Sequence, residues 1–109
     1  MKLMISGSRG ITEFDFEGHI ENDVDTVICG GAKGIDTLAM EYAHKKGLKL
    51  IVLRPDYERY GKAAPLIRNR EMVDMADIIL AVWDSKSKGT KYTIDYATKQ
   101  HKSIRIFTA

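Results

Sequence analysis

The chain has one cysteine, Cys29, in 109 residues. No internal disulfide framework is possible, and a single thiol suits a reducing compartment. No apolar run approaches the roughly 20 residues needed to span a bilayer, so no membrane partner is expected. Met1-Lys2 leads straight into an apolar strand-like run, with no h-region and no cleavage site. The expectation is a cytoplasmic protein. The formal charge is only +2, too small to argue for nucleic acid by itself. The three histidines, His19, His44 and His101, have no second histidine or cysteine three or four residues away. No metal site is expected. Repeats, linkers and low-complexity segments are also missing, which leaves one domain over residues 1–109.

What is present is a regular alternation. Five apolar runs read as strands: Leu3–Ser6, Thr26–Cys29, Leu48–Leu53, Ile78–Val82 and Ile104–Phe107. Most are short, β-branched and near-continuous, the pattern of strands buried on both faces of a parallel sheet. Four helical segments lie between them, over 13–22, 35–46, 64–75 and 90–101. Phe14, Ile20 and Phe16 are the inward residues expected of the first, and Ile94 and Ala97 those of the last. Gly47 is positioned to cap the second. Pro65 falls in the first turn of the third, where a missing N–H costs nothing. The fold class is therefore α/β: a single Rossmann-like, doubly wound, mainly parallel five-stranded sheet with helices on both faces.

Seven of the nine glycines follow a strand and lead toward a helix. In such sheets ligands bind outside the carboxyl ends of the strands. Charge gathers at the same edge. The loop windows 7–12, 30–36, 54–62 and 84–91 hold eight basic residues and four acids, a net of +4, against −2 for the remainder. An anionic ligand is expected there.

The most informative segment is Cys29-Gly30-Gly31-Ala32-Lys33-Gly34-Ile35-Asp36, a glycine-rich turn from strand to helix. Its glycines permit close backbone approach, and the helix N-terminus points free N–H groups and positive dipole into it. Gly30, Gly31, Ala32 and Gly34 are the expected cradle, with Lys33 to neutralise a phosphate. Asp36 is compatible with capping the helix, binding a ribose hydroxyl or orienting the loop. The segment is neither GxGxxG nor a Walker A loop. Gly7-Ser8-Arg9-Gly10 ends the first strand and offers two more donors to phosphate. Arg54, Tyr57, Arg59 and Tyr60 form a third loop, open to base stacking or to plain surface packing. Arg68, Asn69 and Arg70 put basic charge in the first turns of a helix, where the macrodipole disfavours it. Cys29 reads as a small buried residue, Trp83 as edge packing, and Met4, Met40, Met72 and Met75 as core filler.

Cys29–Ala43, CGGAKGIDTLAMEYA, resembles the glycine-rich segment of the SLOG superfamily, which includes the DNA-processing protein DprA and the LOG phosphoribohydrolases. Pro65–Ala81, PLIRNREMVDMADIILA, is similar to the next segment of that superfamily. Gly89-Thr90 stands where its members carry Gly-Thr, and Gly7-Ser8-Arg9 resembles the small YpsA-like branch. The resemblance implies a nucleotide-binding Rossmann-like domain, with phosphate near Gly30-Gly31 and Gly89-Thr90. It places Arg68, Asn69 and Arg70 in the same cleft. By analogy it also implies a homodimer or larger homo-oligomer. LOG enzymes carry a catalytic glutamate in Pro-Gly-Gly-x-Gly-Thr-x-x-Glu; here Thr93 takes that position and lysines replace the Pro-Gly-Gly. The first expectation is therefore a binding module for a nucleotide-derived small molecule, with no catalytic residue and no cofactor. Glycosidic-bond cleavage and DprA-like single-stranded nucleic-acid binding are the alternatives.

Overall fold

A computed structural model describes residues 1–109. Five parallel strands, β1 (Lys2–Gly7), β2 (Thr26–Cys29), β3 (Lys49–Val52), β4 (Ile78–Trp83) and β5 (Ser103–Thr108), form one sheet in the order β3-β2-β1-β4-β5. Three long helices cover it: α1 (Ile35–Lys46), α3 (Ala64–Met75) and α4 (Lys88–Lys99). A single turn, α2 (Tyr57–Tyr60), and a 3-10 turn at Gly61–Ala63 lead into α3.

Strand alternation sorts the core into two layers. Leu3, Ile5, Val27, Cys29, Leu80 and Val82 point to one face and meet Ile35, Ala39 and Ala43 of α1. Met4, Ile28 and Ile79 point to the other and meet Met72, Val73 and Ala76 of α3 and its end, with Ala97 of α4. Met4 pairs with both Ile28 and Ile79, so these three form one row across the sheet. Each such fully buried side chain stabilises the fold by about 1.5–3 kcal/mol relative to exposure. This is the expected α/β, doubly wound sheet with helices on both faces.

The segment after β1 departs from expectation. Residues 13–22 form no helix. Gly18 sits at φ +79°, and the Glu17 N–H donates to Asp15 Oδ1 at 3.0 Å, turning the chain locally. Phe14 and Phe16 still face inward, packed edge to face at 5.0 Å, with Phe16 against Tyr42 of α1. Their two-residue spacing serves an extended segment on this face, where a helix would splay them apart. Met75 is also displaced from its expected role: it is 38% exposed at the end of α3. Gly47 caps α1 in the left-handed region, φ +69°, and Pro65 lies in the first turn of α3, both as expected. No helix is long and apolar enough to cross a membrane.

The topology places the site. From β1 the chain moves toward β2 and β3; from β4 it moves to β5 on the other side. Gly7 pairs with Val82, so the two central strands end side by side. The space above them is the switch point of the winding, where open α/β sheets bind ligands.

Candidate functional site

A cleft of about 370 Å³ opens at that switch point. It falls within the range of small-molecule sites. Four stretches of chain meet there: Ser6, Gly7, Arg9 and Gly10 after β1; Ala32 and Asp36 at the start of α1; Pro65, Leu66, Arg68, Asn69 and Met72 on α3; and Asp84, Ser87, Gly89 and Thr90 between β4 and α4. Of the residues singled out in the sequence, Gly7, Arg9, Ala32, Asp36, Arg68, Asn69, Gly89 and Thr90 line it. Ser8, Gly30, Gly31, Lys33, Gly34, Arg54 and Arg70 do not. Their places explain the difference.

Gly30 and Gly31 admit side chains of this chain. A Cβ on Gly30 would lie 2.6 Å from Arg68 Nη1, and one on Gly31 would lie 2.5 Å from Arg54 Nη1. The two guanidinia donate to successive carbonyls: Arg68 Nη1 to Gly30 O and Arg54 Nη1 to Gly31 O, both at 2.9 Å. Gly34, at φ +74°, presses against the Ser8 and Arg9 carbonyls, 2.5 Å from where a Cβ would stand. It joins the first two loops. Gly7 is bare for a similar reason, since a Cβ there would strike Ile35. Lys33 projects into solvent.

Part of the N–H set of this turn is engaged within the chain. Ala32 N–H donates to Asp36 Oδ2 at 3.1 Å. Asp36 is 8% exposed. Burial pushes its carboxyl above the usual carboxylate range, while the Ala32 and Gly30 N–H groups and the charges of Arg68 and Arg9 oppose that shift. Asp36 thus orients the loop from inside, one of the three roles open in the sequence. Its carboxylate fills the anion nest at the start of α1.

Arg68 is the best-anchored cation of the cleft. Nη1 donates to Gly30 O and to Leu53 O at 3.2 Å, and Nε to Asn69 Oδ1 at 2.8 Å. Nη2 has no protein partner. Burial pulls this guanidinium below its usual range, and the nearby Asp36 carboxylate works the other way. An arginine nevertheless stays charged. It forms none of the four ion pairs in the molecule. The result is a fixed positive edge facing the cleft.

The loop Asp84–Ser87 shapes the far wall. Asp84 Oδ1 accepts from the Lys86 and Ser87 N–H groups, both at 2.8 Å, and these bonds hold its carboxyl below the usual range. Asp84 N–H in turn donates to Ser8 Oγ at 3.1 Å. Ser8 is fully buried, and its hydroxyl ties the β1 loop to the β4 loop. Trp83 Nε1 donates to Ser87 O at 2.9 Å. These bonds set Ser87 as the N-cap of α4, so the first turn of that helix, with Gly89 and Thr90, opens onto the cleft. Thr93, one turn further, is fully buried and donates to Gly89 O.

The sequence reading missed Ser6, Pro65, Leu66, Met72 and Ser87 as cleft residues. Pro65, Leu66 and Met72 are one apolar wall, and a helix pattern alone does not separate such residues from core. Ser87 carried an earlier signal: it precedes Lys88–Lys99 as a serine N-cap would. The tyrosines of the third loop lie outside this cleft, with Tyr60 beside the Arg59 guanidinium at 5.2 Å.

Gene 61 protein of Mycobacterium phage D29 is 37% identical over 79 residues, covering 67% of this chain and 63% of that protein. The chain therefore spans just under two thirds of that relative's length. No solved structure is a significant match. The model of the YspA, cpYpsA-related SLOG family matches residues 1–60, from β1 through the glycine turn and α1 to the loop carrying Arg54. More than half of the chain is matched, and it belongs to the YspA, cpYpsA-related SLOG family.

Proposed function

We propose that the cleft binds a nucleotide or nucleotide-derived ligand, to sense, sequester or carry it. SLOG membership supports a nucleotide-related role at a general level. The observation that carries the finer reading is Arg68: three of its N–H groups are fixed on Gly30, Leu53 and Asn69, while Nη2 has no protein partner and the residue lines the cleft. A preorganised guanidinium beside a helix N-terminus suits a phosphoryl group. The phosphate belongs at the first turn of α4, by Gly89 and Thr90, within reach of Arg68 and Arg9. Asp36 and Asp84 then suit sugar hydroxyls as acceptors. Pro65, Leu66 and Met72 give a base an apolar wall.

The lining favours a small molecule over a single strand. No aromatic residue lines the cleft, whereas strand-binding grooves stack successive bases on aromatic rings. A thermal-shift screen against nucleoside phosphates, dinucleotides and short oligonucleotides tests the reading. A ligand at 100 times its Kd stabilises the fold by about 2.7 kcal/mol. Response to oligonucleotides alone, rising with length, would replace the small-molecule reading with strand binding.

One arrangement favours a second reading, cleavage at the glycosidic bond. Asp36 is a buried carboxyl lining the same cleft as Arg68, and its raised proton affinity suits acid–base work. Thr93 supplies no carboxylate. Release of free base from a bound nucleotide, lost in Asp36→Asn, is the expected result under this reading. Binding without release leaves the module reading.

A further inference from the structure

Beside the main cleft lies a smaller groove of about 160 Å³, lined by Arg54, Asp56, Arg59, Tyr60, Glu71 and their neighbours. Arg68 lines both. Three arginines therefore converge on one small groove. None forms an ion pair with Asp56 or Glu71. Asp56 is already engaged, since its Oδ1 accepts from the Arg59 N–H as the cap of α2. Arg54 is held in place through Nη1 on the Gly31 carbonyl, which leaves its Nε and Nη2 without protein partners. Arg59 lies beside the Tyr60 ring. Three guanidinia outnumber the two carboxylates along the groove, and an anion seated among the arginines lowers their mutual repulsion.

We infer that this groove is a second anion subsite, so that the ligand carries two linked phosphoryl groups: a nucleoside diphosphate or a nucleotide extended through a pyrophosphate bridge. The inference rests on the nucleotide reading of the main cleft. Size decides what fits where. The groove is well below the ~300 Å³ at which small-molecule sites begin, so it takes one group and not a second nucleoside. The main cleft takes the nucleoside and the first phosphoryl group, and Arg68, which lines both spaces, bridges the two anions from one side. Guanidinium forks suit this task because each offers two parallel donors to phosphoryl oxygens.

The test uses the full chain and titrates the four ribonucleoside 5′-monophosphates and the matching diphosphates, with Arg59→Ala and Arg59→Glu beside the wild type. Arg59 lies outside the main cleft and makes no side-chain hydrogen bond, so both variants are expected to fold. The expected result is a wild-type preference for diphosphate over monophosphate of about tenfold or more, the scale of one charge-assisted contact. The preference falls toward one in Arg59→Ala and inverts in Arg59→Glu. Equal affinity of mono- and diphosphate in the wild type, or a preference that survives both substitutions, overturns the subsite and leaves the main reading standing. No binding by any of the eight compounds overturns both.

Discussion

The Arg68 guanidinium occupies the space above Gly30, with Nη1 on the Gly30 carbonyl at 2.9 Å and only 2.6 Å from where a Cβ would lie. A glycine at position 30 is therefore what lets an arginine from α3, 38 residues away, reach the ends of the central strands. Gly31 does the same for Arg54.

Gly30→Ala is expected to move Arg68 and spare the fold. The colliding atoms are the end of a flexible side chain, which can withdraw. We expect a small fall in Tm and a loss of nucleotide affinity of about tenfold, the scale of a hydrogen bond to a charged group. Thermal unfolding and titration on the same preparation separate the two effects.

Gly34→Ala is expected to act through stability. Its φ of +74° and the backbone carbonyls of Ser8 and Arg9 leave no side chain to withdraw. A loss of more than about 2 kcal/mol follows from strain and clash together. Gly47→Ala, at φ +69° with open space around it, should cost only about 1–2 kcal/mol. Urea unfolding of the two variants gives the contrast.

Asp36 and Asp84 should give opposite pH dependences. The native Asp36 carboxyl holds its proton above the ordinary 3.8, so in that window the native state binds more protons than the unfolded chain. Its contribution to stability therefore falls as pH rises from 3.8 through the raised native value, then stays level. Asp84 is depressed below 3.8. Its stabilisation is complete above 3.8 and is lost as pH falls through the native value. Unfolding curves across this range should show the stability of wild type relative to Asp36→Asn declining with pH. Relative to Asp84→Asn it should rise. Slopes of one sign would contradict the assignments.

Cys29 should be inert in the native protein. It is fully buried, and burial pushes its thiol up to about 11, so little reactive thiolate exists near neutrality. A thiol reagent at pH 8 should label it only on unfolding, at a rate that follows denaturant.

Much of this was legible in the chain. Thr26–Cys29, 35–46 and 64–75 appear at the expected positions because short β-branched runs, Gly47 and Pro65 mark them. The first crossover was not, because Phe14 and Phe16 signal burial without fixing the period, and Gly18 and Asp15 turn the chain instead. The glycine turn stood out in the sequence, but not what fills it. Arg54 and Arg68 reach Gly31 and Gly30 across 23 and 38 residues, and no local pattern encodes such a meeting. Nor did the sequence decide that the Asp36 carboxylate takes the Ala32 N–H of the turn.

The most direct test of the account is calorimetric titration of wild type and Arg68→Ala with the ribonucleotide that gives the largest thermal shift, at a temperature where both are folded. The account predicts saturable one-to-one binding by the wild type, weakened tenfold or more by loss of the charge-assisted contacts. Undiminished affinity in Arg68→Ala, or no binding by the wild type, would contradict it.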